Sequence, residues 1–194
     1  MAEPLPDRMT PGRHGRTGGR PGVEVRERPP ALLASVIARR GAAQALASAL
    51  RSDLDGKALT VLGVGPGHWW IVAETPQPSV DDLQEMYEGV ASVFDITDSR
   101  VVLGLSGPRI RETLAKMLPI DLHPSAFKTG DVAVTIASHI GVTLWRTADA
   151  RTADAPQYRL AVARSYSGSF WRAFVAAAAE HGCEVKPQIK PSAA

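Results

Sequence analysis

The chain is expected to adopt an α+β fold of two related halves, each a ferredoxin-like β-α-β-β-α-β unit. Three observations lead there. The apolar period alternates between two and 3.6 along the chain, a Gly-Pro-Gly turn joins two short apolar runs, and helix-start chemistry recurs at Ser79 and at Ser106-Gly107-Pro108.

In order, Leu32 to Ala38 reads as a first strand and Gly41 to Leu54 as a helix. The inner stripe of that helix is Ala43, Leu46, Ala47, Leu50 and Leu54. Leu59 to Val64 and Trp69 to Ala73 are strands, and Gly65-Pro66-Gly67-His68 between them has the chemistry of a hairpin turn. Pro76 and Pro78 interrupt the chain before a second helix. Ser79 caps that helix with Asp82 three residues on, and its buried stripe is Val80, Leu83, Met86, Tyr87, Val90 and Ala91. A central strand follows, with Val101, Leu103 and Leu105 on one face and Val102 and Gly104 on the other, closing the first half.

Ser106-Gly107-Pro108 then opens a short helix with Ile110, Leu114 and Met117 inward and Glu112–Lys116 as an i,i+4 pair. Pro119 stops it before an ordered loop. Strands at Val132 to Ile136, Val142 to Arg146 and Tyr158 to Ala163 continue the second half. A last helix near Ser169 to His181 buries Phe170, Phe174, Val175 and Ala178 and ends at Gly182, and a short strand runs Cys183 to Lys186. Thr147 to Pro156 reads as a polar surface loop.

Residues 1–30 hold six prolines and five glycines with few large apolar groups, so a disordered Pro/Gly/Arg-rich tail is expected there. The domain is then expected over 31–187, and a C-terminal tail over 188–194. The first thirty residues carry six arginines against four carboxylates, which accounts for the whole formal excess of +2. A near-neutral folded part does not suggest a nucleic-acid backbone binder. The strands also lack the exposed aromatics of an RNA-binding sheet. No apolar run approaches the ~18 residues that span a bilayer, so no membrane partner is expected. Arginines without a following apolar stretch, together with a single thiol, lead to a cytoplasmic expectation.

The chemical motifs are sparse. Gly63-Val64-Gly65-Pro66-Gly67 precedes a strand, whereas a dinucleotide loop opens a helix. The five histidines show no metal-ligand spacing, and Cys183 has no cysteine partner, so no metal site is expected. Ser106 lacks a nucleophile-elbow context. Asp121 and His123 are expected to hold their loop through backbone hydrogen bonds. Trp69-Trp70 places one indole on each side of a strand, and Trp171 falls about 100° from Phe170 on its helix, on an exposed flank suited to a partner.

Phe94-Asp95-Ile96-Thr97, the Ser106-Gly107-Pro108 turn, Leu114, and Asp121-Leu122-His123-Pro124 with Phe127 and Gly130 resemble the gamma subunit of heterotetrameric sarcosine oxidase. Arg164-Ser165-Tyr166 leading into Phe170-Trp171 also matches that pattern, and the similarity covers roughly Ser35 to Gly182. More distantly, the strand–turn–helix–acidic-loop order is similar to the folate-binding domain of the glycine-cleavage aminomethyltransferases. The resemblance implies a small non-catalytic structural subunit of a complex that demethylates sarcosine oxidatively to glycine, a one-carbon product and hydrogen peroxide. It implies alpha, beta and delta subunits as partners. FAD, FMN, NAD and tetrahydrofolate would be carried by those other subunits and no cofactor by this chain. Trp69, Trp70, His123, Phe127 and Trp171 are then the expected subunit contacts, with no catalytic residue. The enzyme alternative is a self-contained folate-dependent one-carbon transferase using Asp121, or a subunit acting on a related N-methyl amino acid.

Overall fold

The computed structural model describes residues 9–54, 59–147 and 156–188. The polypeptide divides into two compact units: one comprises the chain up to Arg28 and from Arg100 onward, the other runs Pro29–Ser99. The expected loop over residues 147–156 and the C-terminal tail lie mostly outside the described residues.

Residues expected to be disordered instead supply two strands. β1 is Gly12–His14 and β2 is Val23–Glu27. Bulk composition hid a period of two in Val23-Glu24-Val25-Arg26: Val23 and Val25 are 0% and 1% exposed, while Glu24 and Arg26 alternate outward. Two valines suffice because a strand held between two neighbours has its whole backbone ladder satisfied.

The Pro29–Ser99 unit begins with β3, Leu32–Ala38, followed by α1, Ala43–Asp53. Next come β4, Leu59–Gly65, and β5, His68–Ala73, joined through Pro66-Gly67. Gly67 has φ +66°, the left-handed position that a turn with proline before it requires. α2, Val80–Met86, carries a full capping box: Ser79 Oγ accepts from the Asp82 N–H at 3.1 Å and Asp82 Oδ2 accepts from the Ser79 N–H at 2.8 Å. β6 is Ala91–Asp95. The sheet order β4-β5-β3-β6, antiparallel throughout, is the ferredoxin-like arrangement. Leu46, Leu50 and Leu54 from the helix side, Ile71 and Ala73 from β5, and Leu83 and Tyr87 build its core. Met86 differs from expectation: α2 ends there, its side chain is 41% exposed, and Ala91 already belongs to β6.

The strand that closes this half is therefore β6 and not Val101 to Leu105. A single 3₁₀ turn, Thr97–Ser99, separates β6 from β7, Arg100–Ser106, which enters the other unit. One apolar-rich run thus holds two strands of different sheets.

The second unit continues with α3, Ile110–Ala115, then β8, Val132–Ala137, β9, Ile140–Arg146, and β10, Tyr158–Ala163. It ends with α4, Ser167–Ala178, and β11, Cys183–Val185. Its seven-stranded sheet has the order β1-β11-β2-β7-β10-β9-β8. Removing β1, β2 and the edge strand β8 leaves β11-β7-β10-β9, the ferredoxin-like order again. The N-terminal strand is inserted between the first and last strands of that unit, antiparallel to β7 and parallel to β11. Glu112 does not pair with Lys116. Arg109 takes Glu112 at 2.6 Å, and Lys116 reaches Glu180 at the end of α4.

Placing a carboxylate at Val25 tests the inserted strand. Val25→Asp is expected to destabilise the protein by about 3 kcal/mol or more in a urea titration, because the charge has no buried partner. A disordered tail would register no change in midpoint.

Candidate functional site

The acidic loop after α3 is built from two buried anchors. Leu122 and Phe127 are 5% and 7% exposed and join the core of the larger unit. Between them, Asp121 Oδ1 accepts the His123 N–H at 2.8 Å, and the His123 carbonyl accepts the N–H groups of Ala126 and Phe127, each at 2.9 Å. His123 Nδ1 lies 2.7 Å from Ser125 Oγ. Arg146, itself buried, donates from Nη1 to the Phe127 carbonyl at 2.9 Å. Phe127 also stacks on Tyr158, with ring centroids 6.3 Å apart. Asp121 is therefore engaged by its own loop, as a carboxylate that shapes a turn. It lines neither of the two cavities described below.

The aromatic candidates have separate fates. Trp69 is half-buried against the helix side of its sheet, and Trp70 is buried on the opposite side, so the expected split between faces is present. Trp171 departs from expectation: it is 2% exposed and not on an open flank. His14 of β1 meets it edge-on at 5.5 Å, and Phe174 stacks on it at 6.2 Å. The N-terminal segment, unexpected as structure, is what brings His14 over that flank. Of the five candidate contacts, Trp70, Phe127 and Trp171 are enclosed by this chain itself, and His123 is exposed.

The titratable groups behave as packing elements. Cys183 is fully buried, and that burial, with the neighbouring Glu184 charge, pushes its thiol up to about 12. It is protonated at neutral pH and unsuited to nucleophilic work. His68 sits 2.8 Å from Ser35 Oγ through Nε2, and burial lowers its pKa, favouring the neutral imidazole. Among the described residues no group of three His, Cys, Asp or Glu side chains is placed to hold a metal ion.

Two concavities open in the larger unit. A trough of about 370 Å³ gathers Arg26, Arg28, Arg159 and Lys186 around Glu24. Gly104 makes room there, since a Cβ at that position would lie 3.1 Å from Arg28 Cδ. Strand register assembles this group: Arg26 pairs with Gly104, which pairs with Arg159. Sequence reasoning left Arg26 and Arg28 in a tail. Their i,i+2 spacing beyond two alternating valines was the signal that could have placed them. The second cavity, about 440 Å³, lies where β7, β10 and α4 meet.

Residues 41–180 match the family described as "Sarcosine oxidase, gamma subunit family". The chain belongs to that family. Among curated relatives, sarcosine oxidase subunit gamma of Corynebacterium sp. (strain U-96) is 36% identical over 98 residues, covering 50% of this chain and 47% of that one. The corresponding subunit from Arthrobacter sp. is 36% identical over 90 residues, 46% and 44% of the two chains. The aligned part thus spans about half the length of these curated relatives. A solved structure, heterotetrameric sarcosine oxidase from Corynebacterium sp. U-96 in complex with pyrrole 2-carboxylate, superposes with a TM-score of 0.71 at 26% identity, covering 87% of this chain and 88% of that one. Glycine cleavage system aminomethyltransferase T from Bartonella henselae shares the fold, with a TM-score of 0.55 at 12% identity over 87% and 48% of the chains. The family match begins after β3, so β1, β2 and β3 precede it. No helix among the described residues is long and apolar enough to cross a membrane.

The buried thiol gives this gamma-family chain a defined alkaline response. Cys183 is neutral in the fold but ionises near its ordinary value of 9.0 when unfolded, so its contribution is complete below that pH and is lost as pH climbs toward about 12. Denaturation midpoints are expected to fall across that window. Tyr87, raised by burial to about 12, acts with the same sign. The difference between wild type and Cys183→Ala isolates the thiol, and equal slopes for the two would refute its part.

Proposed function

We propose that this chain is a small structural subunit of a heterotetrameric oxidase of the sarcosine type and holds no reaction centre of its own. Membership of the gamma-subunit family over residues 41–180 carries this reading. The solved relative that matches nearly the whole chain is itself part of a heterotetrameric enzyme. In this reading, larger alpha and beta subunits and a delta subunit are the partners. They hold FAD, FMN, NAD and tetrahydrofolate and perform the oxidative demethylation of sarcosine to glycine, in the cytoplasm. The chain's own chemistry supports a packing role: Asp121 is bound to its loop, and Cys183 is a protonated core group.

The contact surface follows from what the fold leaves uncovered. Since Trp70, Phe127 and Trp171 are enclosed, the most exposed large apolar groups among the described residues are Phe94, Val134, Ile136 and Tyr166, at 53%, 59%, 49% and 58%, followed by Ile37 and Met86. Val134 and Ile136 lie two residues apart on β8, an edge strand that presents unpaired backbone groups as well. His123 and Trp69 remain at or near the surface and complete the set.

Affinity purification of the tagged chain from its native cell is expected to recover larger chains carrying flavin colour. A colourless lone species in gentle buffer would defeat the subunit reading. The double substitution Val134→Glu and Ile136→Glu is expected to lower that recovery about tenfold or more while leaving the melting temperature unchanged. Undiminished recovery would remove β8 from the interface.

A further inference from the structure

Among the described residues, β1 and β8 border the larger sheet and β4 and β6 the smaller one. Three of these edges are guarded. β1 is only three residues long and carries Arg13. β4 breaks register with its neighbour between Gly63 and Gly65. The Val93 carbonyl of β6 is taken by Gln84 Nε2 at 3.1 Å. Shortness, a bulge and a covering side chain keep an edge from pairing with another chain. β8 has none of them. Val-Ala-Val-Thr-Ile-Ala runs six residues without charge, proline or a break in its register against β9.

Register decides which backbone groups β8 leaves open. A two-residue turn, Ser138-His139 with φ +46° and +73°, pairs Ala137 with Ile140. At the other end, the Asp131 carbonyl accepts the Arg146 N–H at 3.1 Å. Bonded pairs in an antiparallel ladder recur every second residue, so Ala133, Thr135 and Ala137 turn their N–H and carbonyl groups toward β9. Val132, Val134 and Ile136 turn theirs away, and these meet no hydrogen-bond partner among the described residues. Val134 and Ile136 are also the exposed side chains of the strand, at 59% and 49%. Open ladder groups and apolar side chains thus share one margin, at the two-residue spacing of a β-strand.

We propose that β8 docks by strand addition: an extended segment of a larger subunit lies along residues 132–136 and continues the sheet. This rests on the subunit reading above and adds the manner of docking. The segment bonds through its main chain to Val132, Val134 and Ile136, and its side chains beside Val134 and Ile136 are apolar. A charged side chain there would lose hydration with no ion pair in return, since β8 carries no charge. A second copy of this chain fits less well. Three residues of open ladder and two large side chains fall short of the ~1,200–2,000 Å² of a stable interface. A strand tethered to a subunit held elsewhere needs no such area, because its effective concentration is high.

Hydrogen exchange, read amide by amide by mass spectrometry with electron-transfer fragmentation, compares the free full chain with the complex recovered on the tagged chain. In the free chain, the Ala133, Thr135 and Ala137 amides are expected to exchange slowly and those of Val132, Val134 and Ile136 fast. In the complex, the second set is expected to slow at least about tenfold. Val134→Pro removes one outward donor at a position where an edge strand tolerates proline. Val134→Ala trims the side chain and keeps the N–H. The proline variant is expected to recover about tenfold less of the larger chains than the alanine variant, at the same melting temperature of the free chain. Unchanged exchange of the three outward amides in a recovered complex would overturn strand addition and leave the subunit reading standing. Equal recovery by the two variants would overturn it as well, as would self-association of the free chain that already slows those amides. Failure to recover any larger chain removes the subunit reading and this one with it.

Discussion

The larger unit depends on one clasp, the holding of β2 between β7 and β11. Glu24 to Glu27 pair antiparallel with Leu103 to Ser106, and Val23 to Val25 run parallel to Cys183 to Val185. Without β2, those two strands would face each other across a gap one strand wide. The core formed by Val23, Val25, Leu105, Phe174 and Cys183 would lose its middle. Close approach reinforces the clasp. Gly107, at φ +116°, passes so near Gly22 that a Cβ would lie 2.4 Å from the Gly22 carbonyl oxygen, which in turn accepts the Arg109 N–H at 2.9 Å.

Much of the fold was readable where a local signal and its tertiary use coincide. Leu32–Ala38 and Tyr158–Ala163 form strands over the expected residues, because their apolar content is continuous and their ends are marked. The Pro66-Gly67 turn and the Ser79 cap follow from backbone rules that need no distant partner. What escaped reading depends on residues far along the chain. β2 carries only two valines, and its partners lie beyond residue 100, so composition alone described it as unable to fold. The assignment of β6 and β7 to different sheets turns on three residues, Thr97–Ser99, that carry no break as strong as proline.

The candidate site was legible to the same degree. The roles of Asp121 and His123 within their own loop follow from short-range donor and acceptor chemistry. The burial of Trp171 does not, because the residue that covers it is His14, delivered by a segment taken for a tail. The basic trough was likewise invisible, since Arg26 and Arg159 become neighbours only through Gly104 of an intervening strand.

The order of the strands along the polypeptide sets a schedule for biosynthesis. Pro29–Ser99 is contiguous and can close on itself while the ribosome is still at work. β2 emerges earlier but must wait, first for β7 and then for Cys183–Val185, the last strand among the described residues. Such distant pairings are slow to form, so the Val-Glu-Val-Arg-Glu segment keeps part of its ladder unpaired until Cys183–Val185 is available, and the larger unit can lock only then.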